Sequence, residues 1–194
     1  MEEINLMPLA NRNLQNQFEE LRQRASLDAL SGLLNRATLE QSIKKRLQEM
    51  APGDTCALFI VDLDDFKQVN DTLGHQAGDQ AIRQSAQILS GLFRAGDIVG
   101  RLGGDEFAVF LCGRVTEAVA RRKAAEICRT LQLSIGDHST VNLTASVGIY
   151  LSDGDQTFEG MYQSADLALY KAKKAGKHGF CLKSMENYQE ELGG

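Results

Sequence analysis

Apolar residues recur along this chain with two different periods, and those periods predict its elements. Leu14, Phe18, Leu21 and Ala25 fall at i, i+4, i+7 and i+11, a single helical stripe among Gln, Arg and Glu. So narrow a stripe suits a seam, either with a second helix in a two-stranded coiled coil or folded back on its own domain. Leu39, Ile43 and Leu47 predict a helix over about residues 37–50, stopped by Pro52-Gly53. The run from Cys56 to Val61 is continuously apolar, as in a strand covered on both faces. Ile82, Ala86, Leu89 and Phe93 mark another helix. Two short apolar runs, Ile98-Val99-Gly100 and Phe107 to Leu111, predict a β-hairpin. Gly103 and Gly104 are expected at its turn, because glycine reaches positive φ cheaply.

Ala120, Ala124, Ile127 and Leu131 predict a helix beginning near Thr116. Val141, Leu143, Ala145, Val147 and Ile149 alternate with polar or small residues, which predicts a strand with one buried face. Thr157 is placed to cap a last long helix with Phe158, Tyr162, Ala165, Leu169 and Ala172 on its inner face. Gly176 would end it, and Phe180-Cys181-Leu182 would add an edge strand. This order predicts an α/β domain with a mixed central sheet flanked by helices, since a hairpin forces one antiparallel pair.

A chain of 194 residues suits one domain with a short appendage. The expected division is an N-terminal helix over 1–25, a dimerising or signalling stalk; a domain over 26–184; and a frayed tail over 185–194. The net charge of −5 argues against a nucleic-acid or membrane surface, so phosphate binding must rest on local lysines and arginines. Cys56, Cys112, Cys128 and Cys181 are dispersed, with no C-x-x-C pair. Buried thiols in a reducing, cytoplasmic compartment, not disulfides or zinc ligands, are the expectation. No apolar stretch approaches membrane-spanning length.

The chemistry-bearing positions sit at element ends. Asp62 follows a buried strand, and Asp105 and Glu106 follow the glycines of the hairpin. If those strands are neighbours, the carboxylates meet, and one or two carboxylates with phosphate oxygens suffice for Mg²⁺. The amides from Asp64 to Lys67, at a helix start, offer donors to phosphate. Lys67, Lys173 and Lys177 are candidate counter-charges, although the last two also suit a helix C-terminus for structural reasons alone. Asn70 and Asp79 lie beside Gly74 and Gly78, which by themselves read as turn and capping positions. The common glycine-rich nucleotide loops are absent.

Gly103-Gly104-Asp105-Glu106-Phe107 matches the GGDEF signature letter for letter, and Asp28 to Arg36 resembles a D-x-L-T-G-L-x-N-R segment with Ser31 in place of Thr. From residue 26 to about 182 the chain resembles the GGDEF-domain diguanylate cyclases. The resemblance implies a fold similar to nucleotidyl-cyclase and polymerase palm domains. It implies a homodimer that condenses two GTP into cyclic di-GMP and releases two pyrophosphates. It implies that Asp62, the carbonyl of Leu63 and Asp105 hold Mg²⁺ (or Mn²⁺). Glu106 then assists deprotonation of the attacking 3′-hydroxyl or completes the metal shell. Gly103 and Gly104 leave room for the α-phosphate. Asn70 and Asp79 read guanine, Lys67 and Lys173 meet the phosphates, and Phe66 and Lys177 complete the substrate site. Arg94 and Asp97 match an R-x-x-D product-inhibition site. The family's usual Gly-Arg-Asn is here Gly176-Lys177-His178, which keeps the charge but loses the bidentate fork. The alternative is a non-catalytic module that binds GTP or cyclic di-GMP as a signalling receptor. Neither nucleic acid nor membrane is an expected partner.

Overall fold

The structure, a computed structural model, describes residues 26–136, 140–152 and 156–184. The expected helix bearing Leu14, Phe18 and Leu21, and the tail, lie outside the described residues. Those described form helix α1 (Arg36–Gln48), strand β1 (Thr55–Asp64), helices α2 (Phe66–Leu73) and α3 (His75–Leu92) and strands β2 (Ile98–Gly103) and β3 (Glu106–Gly113). Helix α4 (Glu117–Thr130), strands β4 (Leu133–Ile135) and β5 (Val141–Ser152), helix α5 (Phe158–Lys174) and strand β6 (Phe180–Ser184) follow.

The sheet runs β2-β3-β1-β5, and the outer edge of β5 carries β4 and then β6. Every pairing is antiparallel except β5 with β6, so the sheet is mixed as expected. Strand β1 sits at the centre and is buried from Cys56 through Asp64. Its odd-numbered residues, Ala57, Phe59, Val61 and Leu63, pack under α2, α3 and α4. Its even-numbered ones, Cys56, Leu58 and Ile60, pack under α1 and α5. Two helical layers around one sheet explain the unbroken apolar run, because both faces of β1 are withdrawn from water.

Helix ends follow their local chemistry. Asn35, Thr116 and Thr157 cap α1, α4 and α5, each accepting from the backbone N–H three residues on. Helix α1 stops before Pro52, and α3 stops at Leu92, leaving Phe93 in extended conformation beyond it.

Four differences from the sequence expectation matter. Strand β5 is buried on both faces from Ala145 to Tyr150, not on one. Asn142 is exposed and Thr144 half-buried, but Ser146 and Gly148, farther along the same face, are withdrawn from water. A Cβ at Gly148 would overlap the Ala165 carbonyl oxygen and the Leu169 nitrogen, so α5 lies directly on the strand. Strand β1 runs on through Asp64, because β5 pairs with it that far, two residues beyond its last pairing with β3. The short strand β4 has no alternation long enough to predict it. Finally, Gly103 pairs with Glu106, so the hairpin loop is Gly104-Asp105, one residue later than expected, and a register shift lies just before it. Gly104 holds φ 53°, the left-handed conformation this corner needs, and Asp105 stands in the turn instead of on the strand.

All four cysteines are free; Cys56 and Cys128 are buried, and Cys112 and Cys181 half-buried. Burial pushes the Cys128 thiol up to about 11, so it stays protonated and inert. No described helix is long and apolar enough to cross a membrane.

Candidate active site

The β1–β3 register sets Asp62 directly opposite Glu106. Cross-strand partners point to the same face, so both carboxyl groups emerge on the α5 side of the sheet. Asp105 joins them through the hairpin turn, whose backbone is fastened to β1 by the Leu63 N–H donating to the Asp105 carbonyl (3.3 Å). Lys173, on the last turn of α5, reaches Asp62 Oδ1 at 2.7 Å.

Burial holds the Asp62 carboxyl above the ordinary carboxylate range; Lys173 opposes this, while Asp105 and Asp64 add to it. Burial likewise raises Glu106, reinforced by Asp62, Asp105 and Asp166. Negative charge is thus crowded here beyond what Lys173 neutralises. Among the described residues no three His, Cys, Asp or Glu side chains stand close enough to enclose a metal by themselves. The donors present are all oxygen, and Mg²⁺ needs only one or two carboxylates when phosphates complete its shell, so Asp62 and Asp105 with the Leu63 carbonyl fit a hard cation.

A second layer, unread in the sequence, fixes this corner. Arg101 donates from Nε (3.1 Å) and Nη2 (2.6 Å) to the Gly104 carbonyl, and from Nη1 to Asp28 Oδ1 (2.9 Å). The hairpin turn is therefore tied to the segment entering the domain. A contact across 73 residues leaves no local signal. Asp64 was expected to offer its amide at a helix start; it is instead the last residue of β1, and the role of its side chain was missed. Its buried carboxylate accepts from Thr144 Oγ1 (2.7 Å), Ser146 Oγ (2.6 Å) and the His178 N–H (3.0 Å). It binds the end of β1 to β5 and to the turn after α5. Its one sequence sign was a third acid beside Asp62 and Asp65.

The substrate-side candidates gather around α2 and the turn after α5. Asp65 precedes α2 with φ 56° and gives it no side-chain cap; its carboxylate takes Lys177 Nζ instead, at 2.6 Å. The first-turn amides of α2 thus lack the usual side-chain acceptor, which a phosphate oxygen would replace. Exposed Lys67 sits in that same turn, where the helix dipole disfavours a cation, so its placement gains nothing locally. Phe66 packs half-buried against the core. Only Gly74 separates α2 from α3, and this sharp corner brings Asn70 against Gly78 and near Asp79. Asp79 stands 3.9 Å from Arg83, one turn along α3. Lys177 (φ 62°) and His178 (φ 45°) are both left-handed, a conformation easier for the Asn usual at the second position. Lys173 and Lys177 are thus each paired with a carboxylate while remaining partly exposed.

Arg94 and Asp97 lie in the turn between α3 and β2, away from the hairpin tip. Asp97 accepts from the Arg94 backbone N–H (3.1 Å) and from its Nε (3.2 Å). A cleft of about 580 Å³ opens beside them, with Arg114, Arg122 and Lys123 on its wall. Those further cations were not singled out in the sequence, since Arg114 follows β3 while Arg122 and Lys123 lie on α4, apart from Arg94.

The profile described as "Diguanylate cyclase, GGDEF domain" matches residues 25–179. The chain belongs to the GGDEF domain family. This GGDEF domain is 34% identical over 181 residues to diguanylate cyclase DgcP of Pseudomonas aeruginosa, covering 91% of this chain and 27% of that protein. It is 30% identical to diguanylate cyclase DgcS of Shewanella oneidensis, covering 94% of this chain and 60% of that protein. The chain therefore spans between about a quarter and three-fifths of these relatives' lengths. Among solved structures, the coiled coil and GGDEF domain of DgcB from Caulobacter crescentus, in complex with c-di-GMP, superposes with TM-score 0.81 at 26% identity, covering 92% of this chain and 95% of that one.

Proposed function

We propose that this domain condenses two GTP into cyclic di-GMP with release of two pyrophosphates, as a dimer and with Mg²⁺. The observation that carries the reading is the pairing of Asp62 with Glu106 across the central strands, with Asp105 bonded to Leu63 beside them. Asp62, Asp105 and the Leu63 carbonyl hold the ion, which supplies charge neutralisation at the transferring phosphate. Each 3′-oxygen attacks the α-phosphorus of the other GTP; that P–O bond forms as the bond to pyrophosphate breaks. Glu106 accepts the 3′-hydroxyl proton. Lys67, Lys173 and Lys177 carry the triphosphate, Gly103 and Gly104 let its α-phosphate approach, and Phe66 braces the helix that presents Lys67. Asn70 and Asp79 accept from the N–H donors of guanine, which adenine lacks.

One site holds one GTP, and the product is two-fold symmetric, so two domains must face each other. The test is to incubate the protein with GTP and Mg²⁺ and to separate the products by chromatography across a dilution series. Cyclic di-GMP and pyrophosphate are expected, with specific activity falling on dilution. Bound GTP without product would replace this reading with a signalling receptor. Specific activity independent of dilution in a strictly monomeric protein would remove the dimer.

Arg94 and Asp97, with the basic cleft beside them, form the product-inhibition site. A guanidinium binds phosphate or a guanine edge bidentately, and a carboxylate accepts guanine N–H groups. Initial rates against added cyclic di-GMP should show non-competitive inhibition that Arg94→Ala relieves. Identical inhibition curves for parent and variant would remove Arg94 from the site.

A further inference from the structure

We propose that Gly78 is a specificity-determining residue: its missing side chain is what seats the Asn70 amide for guanine. The inference rests on the reading of Asn70 as a guanine acceptor. Gly78 is buried in the first turns of α3, in backbone that any residue adopts. Glycine is among the poorest helix formers, so neither dihedral angles nor propensity favours it there. The demand comes from the neighbour. A Cβ at this position would overlap Asn70 Oδ1 and stand 3.0 Å from Asn70 Cγ and 3.1 Å from Phe66 Cζ. The three nearest atoms thus belong to two residues of α2 assigned to the substrate site, and the most severe contact is with the amide oxygen itself.

Asn70 cannot simply shift its backbone, because its carbonyl accepts from the Gly74 N–H at 2.9 Å and Gly74 is the whole corner between the two helices. A methyl group at 78 therefore turns the half-buried Asn70 side chain away. That is a small rearrangement for the fold, since a flexible tip moves, but a large one for a base that needs the oxygen in one place. Local preference broken without a local reason marks a functional position.

The test is a double-mutant cycle in the whole chain. Affinity for a non-hydrolysable GTP analogue is measured by calorimetry for the parent, Asn70→Ala, Gly78→Ala and the double variant, beside affinity for inorganic triphosphate and the thermal midpoint. Gly78→Ala should weaken analogue binding by about 10–100-fold, the scale of unpaired base donors. Triphosphate affinity should stay unchanged and the midpoint should not fall. The double variant should bind no worse than Asn70→Ala, because the glycine acts only through Asn70. Full affinity in Gly78→Ala beside a loss in Asn70→Ala overturns the proposal and leaves the guanine reading standing. Additive losses overturn it too. Parent-like affinity in Asn70→Ala fells the guanine reading, and this proposal with it. If Gly78→Ala alone fails to fold, the double variant must fold; its failure would assign the glycine to packing against Phe66.

Discussion

Asp62→Asn should abolish Mg²⁺-dependent turnover while the domain stays folded. Asparagine has the same shape and keeps one acceptor oxygen, but it removes the negative charge that binds a hard cation. Losing several kcal/mol of transition-state charge stabilisation corresponds to a rate fall of about 10³-fold or more. The fold does not depend on that charge. Burial, opposed by the Lys173 ion pair, raises the Asp62 carboxyl, so its ionised form is the one the native state disfavours. A carboxyl raised in the folded state contributes stability at low pH that is lost as pH rises through its folded value. At neutral pH a neutral isostere should therefore not lower the metal-free thermal midpoint. Lys173, left without its partner, is about a third exposed and can be hydrated. The measurements are initial rate with saturating GTP and Mg²⁺, and thermal unfolding without metal. Parent-like turnover would sink the two-carboxylate site, and a collapsed midpoint would make Asp62 a structural residue.

Most of the architecture was legible because apolar period and helix caps are local properties. Thr116 and Thr157 announced their helices, and the run from Cys56 to Val61 announced a central strand. The alternation in β5 misled for a physical reason. Thr144, Ser146 and Gly148 read as a wet face, yet Gly148 is what a close-packed helix requires, since α5 lies on it, and Thr144 and Ser146 donate to the buried Asp64 carboxylate. The hairpin was placed correctly, but its turn was not, because a register shift between Arg101 and Gly103 moves the corner one residue on. The site divided along the same line. Asp62, Asp105 and Glu106 were singled out as acids at strand ends; the ladder sets Asp62 opposite Glu106, while Asp105 lies in the turn. The side chains of Arg101, Asp28 and Asp64 were not, since the Arg101–Asp28 pair and the partners of Asp64 on β5 and at His178 are far apart in sequence. Side chains that support a site reveal themselves only through contacts, and contacts need the fold.

Glu106→Gln should lower the rate by about 10²–10⁴-fold, the range for a positioned proton acceptor. The substitution keeps the size and one acceptor oxygen of the side chain and removes its ability to take a proton. Glu106 heads β3, opposite Asp62 and one residue past the turn, so its backbone is fixed by the ladder and a lost activity cannot be laid to a displaced strand. Its surroundings suit an acceptor. Burial and the nearby Asp62, Asp105 and Asp166 raise its carboxyl above the ordinary range, which makes it a stronger base once ionised, and Lys173 limits the rise. A metal-shell role predicts a different pattern, because weaker ion binding is compensated by more Mg²⁺ while a missing base is not. The deciding measurement is the rate of Glu106→Gln across a Mg²⁺ titration. A deficit that persists at saturating Mg²⁺ is the expected result. Recovery of parental turnover at high Mg²⁺ would move Glu106 from proton transfer to the metal shell.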